Sequence, residues 1–229
     1  MKGYDLIIPV FKELKIIELL DYVMKFSKNL NQIFICYDFN EDVSYQLLKK
    51  SHYANNLKVN LIKNFKKGPC EAIKTCIAYS KSDSLIIYPA DDYNNGPLLE
   101  KMYSEYLKGN DVVCPSRFMK GGLIKNCPLL KYLIVKTVSK ILYLTTDLNI
   151  KDPTNGFRLF SKKIINKYKI ESTLGFAFSL ELLVKSSKDK FKIVELPSIW
   201  IERNDRKSSF KIFKWAREYL KWFFKAIFN

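Results

Sequence analysis

Apolar residues along the first half of the chain follow two alternating patterns. Residues 4–10 (YDLIIPV) form a short apolar run containing Pro9, and 13–28 carry helical spacing through Leu14, Ile17, Leu20, Val23 and Met24. The same pair of signals then repeats. Runs at 32–38, 57–62, 84–89 and 111–116 read as strands, and 41–50, 69–80 and 97–108 read as helices, the middle one opening after Gly68. Such alternation predicts an α/β fold with a mainly parallel sheet and helices on both faces. The second half is less regular. Residues 128–144 and 174–188 read as helices, 152–160 as a turn followed by a short strand, 191–197 as a strand, and the last 20 residues as a helix.

In an open α/β sheet, ligands bind beyond the carboxyl ends of the strands. Pro9, Asp38, Asp91 and Arg117 all fall at or just after predicted strand ends, so residues far apart in sequence are expected along one edge.

Composition narrows the classes. The hydrophobic content of 48% is enough to build a core, so disorder is not expected. No uninterrupted apolar stretch reaches the about 18 residues of a spanning helix, and the opening MKGYDLIIPVF is too short in its apolar run for a signal peptide. Five scattered cysteines with no CxxC pair, beside one histidine, argue against a zinc site or a disulfide framework and for reduced thiols in a cytoplasmic setting.

The net charge of +16 raises the question of nucleic acid. Nearly all of it is lysine, which reads equally well as a solvated surface. Aromatic and basic residues interleave mainly in the last 20 positions, whereas a nucleic-acid module needs a broad face. No nucleic-acid partner is therefore expected, and a non-catalytic basic module is the weaker alternative. The scarcity of arginine says more. Forked binding of phosphate oxygens is work that lysine does badly, so Arg117, Arg158, Arg203, Arg206 and Arg217 each draw attention.

Four segments carry chemistry. SLIIYPADDYNNGP delivers Asp91 and Asp92 from a strand into a turn, and oxygen ligands there suit Mg2+ or Mn2+ bridging two phosphates. The structural alternative is an Asx turn capping the next helix. SRFMKGG (116–122) places Arg117 past a buried strand. DPTNGFR (152–158) sets Asp152 and Arg158 about a turn, where a structural ion pair is the alternative. Residues 199–224 place Arg203 and Arg206 before a Ser-Ser pair and a basic aromatic helix. On a helical wheel, Ile212, Ala216, Tyr219, Leu220, Phe223 and Ile227 share one face. Lys211, Lys214, Lys221 and Lys225 share the other, with Trp215 and Trp222 on a flank. That pattern fits a helix lying in a lipid interface, or one packed on the domain's own core.

Together these segments resemble glycosyltransferase family 2, and within it the dolichyl-phosphate mannose synthase-like group. IIPVFKE, CYDFNED, NFKKGPCEAIKTCIAYSKSD, PADDYNNGP, VVCPSRFMKGG, DPTNGFRLFSKKII and the stretch from GFAFSLELL to FKIFKW follow the family's motifs in order, over about 200 residues. The resemblance implies a GT-A fold; residues 1–208 are then expected to form the catalytic domain, and the wheel pattern makes 209–229 an amphipathic membrane-surface helix. It implies an inverting transfer of a hexose from a GDP- or UDP-linked sugar to a polyprenyl-phosphate-type lipid. A glycan hydroxyl is the alternative acceptor. Pro9, Phe11, Glu13 and Asp38 would line the nucleotide. Pro89 stands at the usual first Asp of the metal motif, which leaves Asp91 as the main metal ligand and Asp92 as the second. Lys131 stands near a family Arg that meets the acceptor phosphate. Arg117 and Arg203 would offset charge on diphosphate and acceptor, and Arg158 is a further candidate catalytic residue. A hydroxyl acceptor would need a base, with Asp152 ahead of Glu181. The expected placement is peripheral, on the cytoplasmic face of the membrane, and a homodimer is left open.

Overall fold

A computed structural model describes residues 3–203 and 212–228. In chain order the elements are β1 (Tyr4–Pro9), α1 (Ile16–Phe26), β2 (Leu30–Tyr37), α2 (Val43–Lys49), β3 (Val59–Lys63), α3 (Pro69–Tyr79), β4 (Ser84–Ile87), α4 (Leu98–Leu107), β5 (Val112–Ser116), β6 (Leu123–Lys125), α5 (Leu129–Thr145), β7 (Arg158–Ser161), α6 (Lys162–Lys167), α7 (Ala177–Lys188), β8 (Ile193–Pro197), β9 (Ile199–Ile201) and α8 (Ile212–Phe228). The sheet order is β3-β2-β1-β4-β7-β5-β8, with β6 and β9 forming a small parallel pair beside it.

The apolar runs became strands because both faces of the sheet are covered. Successive side chains on a strand point to opposite faces. Leu6 and Ile8 of β1, Ile33 and Ile35 of β2 and Ile86 of β4 face one core, built with α1, α2 and α4. Ile7, Phe34, Cys36 and Ile87 face the other, built with α3, α7 and parts of α5, α6 and α8. The parallel strands therefore all end on one edge.

β7 is the exception. It runs antiparallel between β4 and β5, with Arg158 opposite Ile87. Its first residue thus lies at the last residue of β4, and the turn before it (152–157) is carried to the edge where the parallel strands finish. β9 continues from β8 past that same edge. Ser198 N–H donates to the Ser116 carbonyl at 2.9 Å, and Trp200 stands opposite Ile124 of β6.

The last helix packs on the domain with one face. Trp222 is 1% exposed, and its indole N–H donates to Ser172 Oγ at 2.9 Å. Tyr219, Phe223, Ala226 and Ile227 join the same core. Leu220, Phe224 and Phe228 remain exposed, as do Leu129, Leu130, Leu133 and Leu144 of the neighbouring α5. The wheel placed Trp222 on a flank, yet it is the anchor of the helix. The wheel positions Lys211, Ile212 and Lys214 lie outside the described side chains. Among the described residues no helix is long and apolar enough to cross a membrane.

Candidate active site

The strand ends and the two late helices enclose a cleft of about 850 Å3. Pro9, Phe11, Glu13, Asp38, Asp91, Asp92, Arg117 and Lys131 all line it. Pro9, Asp38, Asp91 and Arg117, expected along one edge of the sheet, thus share this cleft with Phe11, Glu13, Asp92 and Lys131.

Local chemistry explains each placement along the strand ends. Asp38 follows β2 directly. Its carboxylate accepts from Gly68 N–H at 2.9 Å and from Asn64 Nδ2 at 2.7 Å, tying β2 to the entry of α3. Gly68 sits at φ +102, a conformation that disfavours a side chain. Glu13 is held in a loop pinned to the start of α2. Lys12 N–H donates to Asp42, which caps α2, and Glu13 N–H donates to Ser44 Oγ at 2.7 Å. The Glu13 carboxylate is buried and accepts from Arg203 Nη1 at 2.9 Å. Phe11 stands half exposed at the mouth, edge-on to Phe39.

The two adjacent aspartates after β4 separate in role. Asp91 is exposed and lines the cleft. Asp92 turns inward and organises the loop. Its Oδ1 accepts from the N–H groups of Asn94 and Asn95, and its Oδ2 accepts from Asn95 Nδ2 at 2.6 Å. Burial raises its pKa to about 6, against the lowering by these hydrogen bonds. The Asx-turn alternative is thus what Asp92 does, with both oxygens committed, so it is not poised as a second metal ligand. Asn95 in turn clamps β9, donating to the Ile199 carbonyl at 2.7 Å and accepting from Ile199 N–H at 3.0 Å.

Asp152 is fully buried, and its carboxylate is grasped by Arg117. The backbone N–H, Nε and Nη2 of Arg117 reach it at 2.9, 2.6 and 2.7 Å. Burial works against the charge of Arg117, but Asp152 more than offsets it and holds the guanidinium above its ordinary range. The turn's ion pair therefore joins Asp152 to Arg117 rather than to Arg158. With both oxygens occupied, Asp152 is an anchor for Arg117 and is not poised as a base. Glu181 is also unsuited to that task, since it is buried and accepts from the N–H groups of Glu171 and Ser172 and from Lys185. Arg158 does not reach the cleft wall. It is fully buried and donates to the carbonyls of Ser179, Asp152 and Pro153, which fixes the turn against α7.

Sequence reasoning overlooked Trp200, Asn95 and Glu202. The Trp200 ring lies 4.9 Å from the Arg117 guanidinium and 4.5 Å from Lys131 Nζ, within cation–π range. In sequence, the only signal is the period of two, which would set Trp200 and Glu202 on one side of an extended segment. Arg206 and the Ser208-Ser209 pair lie outside the described residues.

Part of the lining is apolar: Ile134, Val135 and Val138 of α5 and Trp215, Tyr219 and Phe223 of α8. Trp215 rests on Gly175, where an added Cβ would lie 2.7 Å from the indole.

Asp91, an exposed carboxylate lining the cleft, is the residue that could hold a divalent cation. Among the described residues there is no group of three or more His, Cys, Asp or Glu able to hold a metal alone. Mg2+ and its relatives are commonly held by one or two carboxylates together with substrate phosphates, which is the arrangement Asp91 offers.

Comparison with known proteins places these features. Residues 5–169 match the model of the family described as Glycosyl transferase family 2. The dolichol-phosphate mannosyltransferase of Pyrococcus furiosus is 26% identical over 229 residues, covering 95% of this chain and 64% of that protein. The polyprenol monophosphomannose synthase of Mycolicibacterium smegmatis is 24% identical over 144 residues, covering 58% of this chain and 54% of that protein. The chain thus spans less than two thirds of the length of either relative. Glucosyl-3-phosphoglycerate synthase from Mycobacterium tuberculosis, solved with Mn2+, UDP and glucosyl-3-phosphoglycerate, has a TM-score of 0.74 at 12% identity, covering 99% of this chain and 80% of that one. This last likeness is one of fold, and the fold is of the GT-A type.

Proposed function

The chain belongs to glycosyl transferase family 2, and from that premise we infer that it moves a hexose from a GDP- or UDP-linked sugar to a polyprenyl-phosphate lipid at the cytoplasmic face of a membrane. The observation that carries this reading is the mixed lining of the cleft. Carboxylates on strand ends, the cations Arg117 and Lys131, and apolar side chains of α5 and α8 all line it. A lipid carrying a phosphate calls for the last two of these together, cations for its head and apolar side chains for its hydrocarbon.

The nucleoside would sit against Pro9, Phe11 and Asp38, with Glu13 behind it. Asp91 would hold Mg2+ or Mn2+, whose charge makes the departing diphosphate a better leaving group. The neighbour solved with Mn2+ and UDP supports this, as does the exposed carboxylate of Asp91. An oxygen of the acceptor phosphate attacks the anomeric carbon, that carbon's bond to the diphosphate oxygen breaks, and inversion results. The nucleophile is already an anion, so positioning and charge neutralisation suffice. The commitment of Asp152 and Glu181 to other partners favours this acceptor over a neutral hydroxyl, which would need a base. Arg117, locked by Asp152 and backed by Arg158 through the same turn, would meet the acceptor phosphate beside Lys131. Arg203 would stand at the donor end with Glu13. In this reading residues 1–208 supply the chemistry, and the helix within 209–229 joins α5 in facing lipid. Its exposed Leu220, Phe224 and Phe228 and the exposed leucines of α5 support that face.

The test is incubation with radiolabelled GDP-mannose or UDP-glucose, Mn2+ and liposomes carrying polyprenyl phosphate. Label should pass into the organic phase. Release of free sugar alone, or transfer only to a soluble glycan, would refute the lipid acceptor.

A further inference from the structure

Lys131 is engaged before any acceptor arrives. Its Nζ meets both oxygens of Glu202 at 2.9 Å, and the two side chains are only 12% and 15% exposed. Glu202 is placed there by β9. Its N–H donates to the Lys125 carbonyl at 3.0 Å, extending the β6–β9 pairing by one residue. Two positions earlier on the same strand, Trp200 presents its ring to both Lys131 and Arg117. The strand is itself fastened to the Asp92 turn through Asn95. One short element therefore supplies an aromatic platform under two cations and a carboxylate on one of them.

We propose that Glu202 is a resident anion that occupies the acceptor-phosphate seat on Lys131 and must be displaced by the acceptor. This rests on the lipid-phosphate reading above. The two carboxylate oxygens span the ammonium as two oxygens of a phosphate monoester would. Arg117 already has its permanent counter-ion in Asp152, which is fully buried. The exchangeable carboxylate is the one on Lys131, at the rim of the wall. Its consequence is selectivity. A weakly charged or neutral head group gains too little from Lys131 to offset the loss of Glu202, whereas a phosphate dianion with Arg117 alongside gains more. The seat is thereby closed to water-borne carboxylates and to uncharged alcohols. Trp200 keeps the lysine in place during the exchange, because its attraction for the ammonium does not depend on which anion is bound.

The experiment measures binding of farnesyl phosphate to the full chain by titration calorimetry, at fixed ionic strength and with nucleoside diphosphate present. Glu202→Gln should bind about tenfold more tightly than wild type, since every 1.4 kcal/mol of relieved competition is tenfold. The same variant should lower KM for polyprenyl phosphate more than it changes kcat. In a Lys131→Met background Glu202→Gln should change affinity by less than about twofold, because the competition it relieves no longer exists. A merely structural Glu202 would give the opposite: weaker binding, and the same loss in both backgrounds. If Glu202→Gln gives no cooperative melt, Glu202→Asp serves instead. It keeps the charge, loses one methylene of reach, and should show a smaller tightening. Unchanged or weaker binding in the variant that folds overturns the proposal. If wild type binds no farnesyl phosphate while still binding nucleotide, the lipid-phosphate reading fails and this proposal fails with it. If wild type binds and the variants do not tighten, only the role of Glu202 falls.

Discussion

Asp152→Asn separates an anchor from a base. The carboxylate is fully buried and receives three hydrogen bonds from Arg117, whose side chain is 10% exposed. Removing one partner of a buried ion pair costs about 3–5 kcal/mol, because the other charge is left uncompensated. Asparagine keeps one acceptor oxygen, so the lower end, about 3 kcal/mol, is expected. In a chain of this size each kcal/mol moves the melting temperature by roughly 2–4 °C, which gives a fall of about 10 °C. The guanidinium also loses the partner that aims it at Trp200, so transfer falls together with stability. Calorimetric melting beside a transfer assay reads both. A double variant, Arg117→Met with Asp152→Leu, removes both charges. It should regain most of the melting temperature, as apolar replacements of buried pairs often do, yet remain inactive. A general base would behave differently, with kcat lost and the melt untouched. Asp152→Asn melting within about 2 °C of wild type would refute the anchor assignment.

Three further outcomes follow from the geometry. Asp91→Ala should lower transfer by at least about a hundredfold while moving the melting temperature by less than about 2 °C, because the side chain is exposed; an active variant would remove the metal assignment. Asp92 has a folded pKa of about 6 against an ordinary 3.8, so the folded state binds the extra proton between those values. Its contribution to stability is full below pH 4 and is lost as pH rises through about 6, a change of about 3 kcal/mol. Asp92→Asn should flatten that part of the denaturation-versus-pH curve, and an unchanged curve would contradict it. Trp222→Ala should cost about 3–5 kcal/mol, the usual range for emptying a buried aromatic site, and should expose α8 to limited proteolysis; a wild-type cleavage pattern would show that the helix is held by something else.

The central strands were readable because they are buried on both faces, so the runs LII of β1 and LII of β4 had to be apolar. Direction was not readable. Periodicity is the same for a strand running either way, and the four residues of β7 gave no sign that they run against β4 and β5. β6 and β9 are three residues each, too short for a pattern to repeat. Asp38, Asp91 and Arg117 were found because a polar residue after an apolar run marks the edge of a sheet. The division between Asp91 and Asp92 was hidden, since two adjacent carboxylates look alike until the turn sends one outward and one inward. Asp152 was assigned a near neighbour, Arg158, but its partner lies 35 positions away on another strand end. Chain proximity is a poor guide where a sheet brings distant segments together. The helical wheel found the apolar surface of α8 but could not weigh one large indole against several smaller side chains, and Trp222 decided which side turned inward.

All three tryptophans stand at or behind one cleft: Trp200 and Trp215 in its wall, Trp222 beneath it. Intrinsic emission is consequently a label already installed where binding is expected. Trp222 is shielded from solvent and has Lys225 Nζ 4.3 Å from its ring centre, so it contributes a steady background. Quenching or a spectral shift on titration would then arise from the two wall residues. Replacing Trp215 by phenylalanine would leave a single optical reporter at the junction where the cations meet.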